Sequence, residues 1–188
     1  MANNVNNVTT GKPKVGGAVY FGVPGTDLSI PTDASTALDT DFVCLGYVSE
    51  DGLTNSNSPE VEEIRAWGGD VVLTPLTGKP DTFQFTLIEA ENLDVLKAVY
   101  GTANVSGSLS TGVTVKANAS LPTDYAWVFE VVLAGNVAKR IVIPQASITE
   151  IGDITYTDGG AVGYQLTINA KPNASGDTHY EYLKTISA

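Results

Sequence analysis

The chain is poor in the residues that most enzyme chemistry needs. Of its 188 residues only Cys44 is a cysteine and only His179 a histidine. One cysteine excludes a disulfide framework within the chain and favours an intracellular origin. Cys44 lies in an apolar run with no basic neighbour to lower its pKa, so it reads as a buried structural thiol. A Ser-His-Asp arrangement would have to use His179, and no Gly-x-Ser-x-Gly elbow accompanies it. His179 therefore reads as a surface residue of the tail. Basic residues are also scarce: ten Lys and Arg against 21 Asp and Glu, a net charge of −11. That balance argues against a surface built to grip nucleic acid, where affinity comes from Lys and Arg on phosphates. No apolar run is long enough to span a bilayer. The first ten residues have neither the basic start nor the apolar core of a secretory signal. No membrane partner is expected.

Hydrophobic residues make up 43% of the chain, enough for a folded domain, and the length suits one domain with appendages. The expected division is an N-terminal arm over 1–14, a β-sandwich domain over 15–175 and a C-terminal extension over 176–188. Residues 1–10 hold four asparagines and no charged side chain. They can bury little and read as flexible.

Within the domain, period-two patterns dominate. Residues 15–22 and 42–48 read as strands. Residues 81–87 put Phe83, Phe85 and Leu87 on one face and Thr82, Gln84 and Thr86 on the other. Tyr125, Trp127, Phe129, Val131 and Leu133 alternate likewise. Gly135-Asn136 signals a hairpin into residues 137–143, and Pro144 ends that strand or sets it at an edge. Residues 147–157 and 161–170 form a second hairpin, with Gln165, Thr167 and Asn169 turned from the core. Only over 89–100 does the period become helical. Leu93, Leu96 and Val99 recur at helical spacing, Glu89 and Glu91 occupy the first turn and Gly101 stands at the stop. The fold class is mainly β: an antiparallel β-sandwich or barrel with one flanking α-helix, a long loop and terminal arms.

The long loop spans 49–60, a polar excursion with no apolar face beyond Leu53. Loops of that length are functional or disordered. It lacks the alternating oxygen ligands and the distant Glu of a calcium loop. Its candidate assembly contacts are Glu50, Asp51, Leu53, Asn55, Asn57 and Glu60. Residues 61–67 and 70–74 then read as extended about a bend at Gly68-Gly69. Glu62 and Glu63 are adjacent and point to opposite faces of a strand, so they form no paired-carboxylate site. Gly16-Gly17 and Gly68-Gly69 match no phosphate-binding fingerprint. Trp67 and Trp127 could stack on sugars, but Trp127 lies in an alternating apolar face and reads as core. The sequence offers no catalytic, cofactor-binding or metal site. Self-assembly, with appendages that order against a neighbour, is the simplest function for such a chain.

Three stretches carry a specific resemblance: residues 46–53 (Gly-Tyr-Val-Ser-Glu-Asp-Gly-Leu), 66–70 (Ala-Trp-Gly-Gly-Asp), and 85–89 (Phe-Thr-Leu-Ile-Glu) leading to 95–101 (Val-Leu-Lys-Ala-Val-Tyr-Gly). Residues 139–144 (Lys-Arg-Ile-Val-Ile-Pro) and 151–156 (Ile-Gly-Asp-Ile-Thr-Tyr) fit the same pattern. In this order they resemble the major tail tube proteins of long, non-contractile phage tails, over residues 15–182. The resemblance implies a β-sandwich with a flanking helix, and hexameric rings stacked into a hollow tube. Inner sheets of six subunits would join into one barrel around a channel for DNA and, before it, a tape-measure protein. Tail-tip and tail-terminator proteins are the other implied partners. The site would be the virion tail, reached through assembly in the host cytoplasm. The long loop and termini would bridge rings. Candidate lumen-facing residues are Glu62, Glu63, Gln84, Gln165 and Asn169, because a wall that lets DNA slide should be acidic or neutral. The alternative is the tube protein of a related contractile or secretion apparatus.

Overall fold

The computed structural model describes residues 3–25, 28–120 and 123–186. Met1, Ala2, Ser187 and Ala188 of the predicted terminal segments lie outside the described residues. Strands β1 (Gly11–Pro13), β2 (Val19–Gly22) and β3 (Val43–Cys44) precede a ten-residue strand, β4 (Val48–Asn57). Four short strands follow, β5 (Glu60–Val61), β6 (Ile64–Arg65), β7 (Val71–Leu73) and β8 (Leu76–Gly78), and then β9 (Asp81–Leu87). Helix α1 (Leu93–Tyr100) leads to the hairpin of β10 (Val105–Ser108) and β11 (Gly112–Val115). The last strands are β12 (Tyr125–Leu133), β13 (Val137–Ile151), β14 (Tyr164–Ala170) and β15 (Tyr180–Thr185).

Nine strands form one antiparallel sheet in the order β3-β2-β12-β13-β14-β9-β4, with β1 also on β12 and β15 also on β13. β13 belongs to two layers. Residues 137–143 pair with β12, residues 137–142 also with β15, and residues 146–151 with β14. The sheet folds over along this strand. β9 and β12 are separated by two strands in the ladder, yet Phe85 meets Trp127 with ring centroids 5.5 Å apart and Phe83 stacks on Phe129 at 6.1 Å. The inward positions of both layers, with Leu166, Ile168, Ile143 and Ile148, make the core. Helix α1 closes one end of it with Val95, Leu96, Ala98 and Val99.

Pro144 does not end β13. The register slips there, Ile143 pairing with Trp127 but Ala146 with Tyr125. The missing N–H falls in a bulge, where no ladder bond is required. The second predicted hairpin is shorter than its pattern suggested, with β13 stopping at Ile151 and β14 starting at Tyr164. The helix starts at Leu93, not Glu89. Asn92 takes the cap, its side chain accepting the Asp94 N–H at 2.9 Å. Glu89 serves the preceding loop instead and accepts the Tyr47 N–H at 3.0 Å. Gly46 makes that contact possible: its φ is +75°, and a Cβ there would lie 2.0 Å from the Glu89 carboxylate.

The outer face of β12 and β13 is covered as well. Phe42 packs on Ala126, Val128 and Val142, with Leu28, Ile30 and Leu38 of residues 23–42 beside it. Glu130 and Arg140 lie under the same cover, at 3% and 1% exposure. They are cross-strand partners. The Arg140 Nε donates to Glu130 at 2.9 Å and its Nη1 to the Asp33 carbonyl at 2.8 Å, and Lys14 pairs with Glu130 from outside. Cys44 is half-buried rather than buried.

Candidate functional site

The segment expected to be a long loop is not a loop. Residues 48–57 form β4, paired with β9 from Leu53 against Phe85 to Asn57 against Asp81. The reason is its position at the sheet edge. β9 supplies the backbone hydrogen bonds, and only Leu53 is needed to cap the core, so the strand carries no apolar alternation. Glu50 and Asp51 sit in a bulge between Val48 and Leu53 and are exposed. Leu53 packs against the core. Asn55 donates to Asp81 at 2.9 Å and to the Thr82 carbonyl at 3.0 Å. Asn57 ends the strand, and Glu60 opens the next feature.

That feature is an arm. β5 pairs with β8 and β6 with β7, apart from the main sheet. Val61 pairs with Leu76 and Ile64 with Leu73, and the Glu62 N–H bonds to the Pro75 carbonyl at 3.1 Å between them. One register holds from Val61 to Ile64, with slips between Glu60 and Val61 and between Ile64 and Arg65. Ala66 N–H to Asp70 C=O at 2.8 Å closes the tip, where Arg65 donates to the Gly69 carbonyl at 2.9 Å and pairs with Glu63. The predicted bend at Gly68-Gly69 is this turn. Residues 60–74 are exposed throughout. The eight residues from Glu60 to Trp67, four of them in β5 and β6, carry the tip roughly 25 Å out if extended. Trp67 stands at the tip, fully exposed, so it is not part of a core or of a lined sugar pocket. The long excursion thus exists one segment later than the polar composition indicated. Apolar Val61, Ile64, Val71, Val72 and Leu73 hid it, because they read as strands of a buried sheet.

The structure separates the five candidate lumen residues into two groups. Glu62 and Glu63 lie on the arm, between β5 and β6. Gln84, Gln165 and Asn169 share one face of the layer β4-β9-β14-β13. Across that face Thr54 opposes Gln84 and Ser56 opposes Thr82. Gln84 opposes Thr167, Thr86 opposes Gln165, and Thr82 opposes Asn169, which in turn opposes Ser147. All of these side chains are hydroxyls or amides and none is ionisable. Charges stand at its margin: Glu150 at the β13 bulge, and Asp124, which accepts from the Ser147 hydroxyl at 2.6 Å and pairs with Lys171 at 2.7 Å.

Both edges of this layer are open among the described residues. β4 has β9 on one side and no strand on the other. β12 runs out at Tyr125 opposite Ala146, so residues 147–151 have β14 alone.

The terminal segments are part of the sheet. β1 adds residues 11–13 to β12, and β15 adds residues 180–185 to β13. His179 is not a surface residue of a tail. Its side chain is 17% exposed and its Nδ1 lies 2.5 Å from Asp81, itself 1% exposed. Burial alone would raise the Asp81 pKa, but hydrogen bonds from Thr178, Asn55 and His179 outweigh it and hold the carboxyl below its usual range. Asp81 therefore remains an acceptor that ties β15, the edge strand and the root of the arm together. His179 serves this junction rather than a catalytic triad. Sequence reasoning missed it because nothing local links Asp81 to a residue 98 positions on.

No helix among the described residues is long and apolar enough to cross a membrane. A family model described as phage tail tube protein matches residues 1–185. No curated protein matches the chain.

Proposed function

Because the chain belongs to the phage tail tube protein family, a family of structural virion proteins and not of enzymes, we propose that it polymerises as stacked hexameric rings around a conduit for DNA in a non-contractile tail. The observation that carries this reading is the four-stranded layer with an uncharged face and two open edges. An open edge is a template for another strand, and β4 of one copy can receive residues 147–151 of the next. Six copies would supply about 24 strands. At roughly 4.8 Å spacing and a tilt of about 40°, these close a barrel on the order of 45–50 Å across the backbone. That leaves room for a tape-measure protein or a DNA duplex inside. Such a contact is heterologous, and it makes a ring when its rotation closes after six copies. The arm then serves ring-to-ring contact, in the role that residues 49–60 were expected to fill. Tail-tip and tail-terminator proteins would cap the two ends.

The protein is expected to be monomeric when dilute and to form rings and tubes when concentrated or seeded with tail tips. Sedimentation over a concentration series checks this. A monomer at every concentration, seeded or not, would overturn the reading.

Gln84 and Gln165 are placed on the lumen wall by this reading, and Glu62 and Glu63 are not. A wall of hydroxyls and amides gives phosphates no fixed cation, while each Lys would release counterions and hold DNA in a salt-dependent way. Gln84→Lys with Gln165→Lys should leave tubes intact, slow DNA release and make its rate sensitive to ionic strength. Dye uptake by emerging DNA at two salt concentrations reads the effect. Release at the unmodified rate under both conditions would remove these residues from the lumen.

A further inference from the structure

Residues 48–57, 81–87, 145–151 and 164–171 build the layer β4-β9-β14-β13 and its margin, and among them Lys171 alone is basic. It belongs to the polar face. Its backbone N–H donates to the Gln145 carbonyl at 2.8 Å, one step beyond the pair of Ala146 and Ala170. Alternation then sets Lys171 and Gln145 on the side of Asn169 and Ser147. The Lys171 side chain is 46% exposed. A wall that lets DNA slide should not carry such a cation, because a lysine that reaches phosphate releases counterions and binds.

Lys171 is met by an anion built into the same corner. Its Nζ lies 2.7 Å from the Asp124 carboxylate, which is only 23% exposed. That carboxylate also accepts from the Gln145 amide at 2.7 Å and from the Ser147 hydroxyl at 2.6 Å. The hydrogen bonds from Lys171, Ser147 and Gln145 outweigh burial and lower the Asp124 pKa to about 2, so the carboxylate keeps its charge near neutral pH. We infer that Asp124 is a positioning residue that masks Lys171, holding the ammonium against the wall and cancelling its charge. This rests on the reading of the polar face as the lumen. A phosphate that approaches the corner meets two opposite charges in contact, whose combined field falls off faster than that of one lysine. Screening weakens the remainder further within a Debye length of about 8 Å at physiological salt. A half-exposed ion pair adds little to stability by itself, so the cancelled charge is the property with consequences. The wall thereby keeps a basic anchor where β13 and β14 meet, without a handle for DNA.

Phage carrying variant tails test this, with DNA release followed by dye uptake at two ionic strengths. Asp124→Asn keeps the shape and an acceptor for Ser147 but leaves the ammonium uncompensated. Tubes should form, and release should slow about tenfold at low ionic strength and recover at high. Adding Lys171→Gln to that variant should restore the unmodified rate. Slow release with Lys171 present or absent would mean that Asp124 acts on the fold of the wall. Release untouched by Asp124→Asn would mean that Lys171 never meets DNA. Either result overturns the inference. Lys171→Gln alone should release DNA at the unmodified rate, because a masked cation has no hold on it. Faster release from that variant would show an unmasked lysine and also overturns the masking, and this arm decides the matter if Asp124→Asn yields no tubes. Gln84→Lys with Gln165→Lys is the control for the lumen reading. Salt-sensitive release there, with none from Asp124→Asn, removes the masking alone. Insensitivity in both removes this face from the lumen.

Discussion

Tubes are expected to vanish, with the subunit still folded, when residues 61–77 are replaced by Asn-Gly joining Glu60 to Gly78. Those two residues are already paired, and Asn-Gly suits a two-residue hairpin turn. The arm contributes no buried side chain, so the stability of the subunit should change by less than about 1 kcal/mol. Assembly should fall to nothing at concentrations where the unmodified chain forms tubes, because the largest exposed apolar surface has been removed. Thermal melting and negative-stain microscopy on the same sample separate the two effects. Normal tubes from the shortened chain would rule the arm out of assembly. A collapsed melting transition would mean that the arm supports the sandwich.

Glu130→Gln should cost the subunit about 3–5 kcal/mol, the usual consequence of leaving a buried charge without its partner. The amide oxygen still accepts from Arg140, but the guanidinium is left buried with no anion to balance it and only neutral acceptors, the amide and the Asp33 carbonyl. For a domain of this size the melting temperature should fall by on the order of 10 °C. The cover formed by residues 28–42 should loosen first, since Arg140 is what holds it at Asp33, and Lys14 would lose its anchor. Limited proteolysis should therefore cut within 28–42 in the variant and not in the unmodified protein. Glu130→Leu combined with Arg140→Met should recover most of the loss, because two apolar side chains need no partner. A single variant costing under about 1 kcal/mol would show that the pair is solvated. A double variant worse than the single would show that the pair is favourable in its own right.

Much of the sandwich is written in alternation. Phe83, Phe85 and Leu87, or Trp127 and Phe129, are apolar at every second position because one side of each strand meets the core. That pattern is local and can be read without the fold. The helix announces itself by a change of period. The family resemblance, too, rests on residues in order along the chain.

What the tertiary structure alone decided is where the backbone finds its partners. Side-chain alternation reports burial, not hydrogen bonding. An edge strand that turns only Val48 and Leu53 to the core therefore reads as a polar loop, although residues 48–57 form one strand of the sheet. The reverse error has the same cause. Val61, Ile64 and Val71–Leu73 look like buried strands, yet they project into solvent, because their hairpin pairs with itself and apart from the main sheet. Buried Glu130 and Arg140, and Asp81 with His179, could not be told from surface charges. Each is tolerated only by a partner that folding brings from elsewhere in the chain. The sequence by itself determined a β-rich, acidic chain of a tail tube family. Which segment is edge strand, which is arm and which charges lie inside were settled by long-range pairing, since those depend on contacts between residues far apart in the chain.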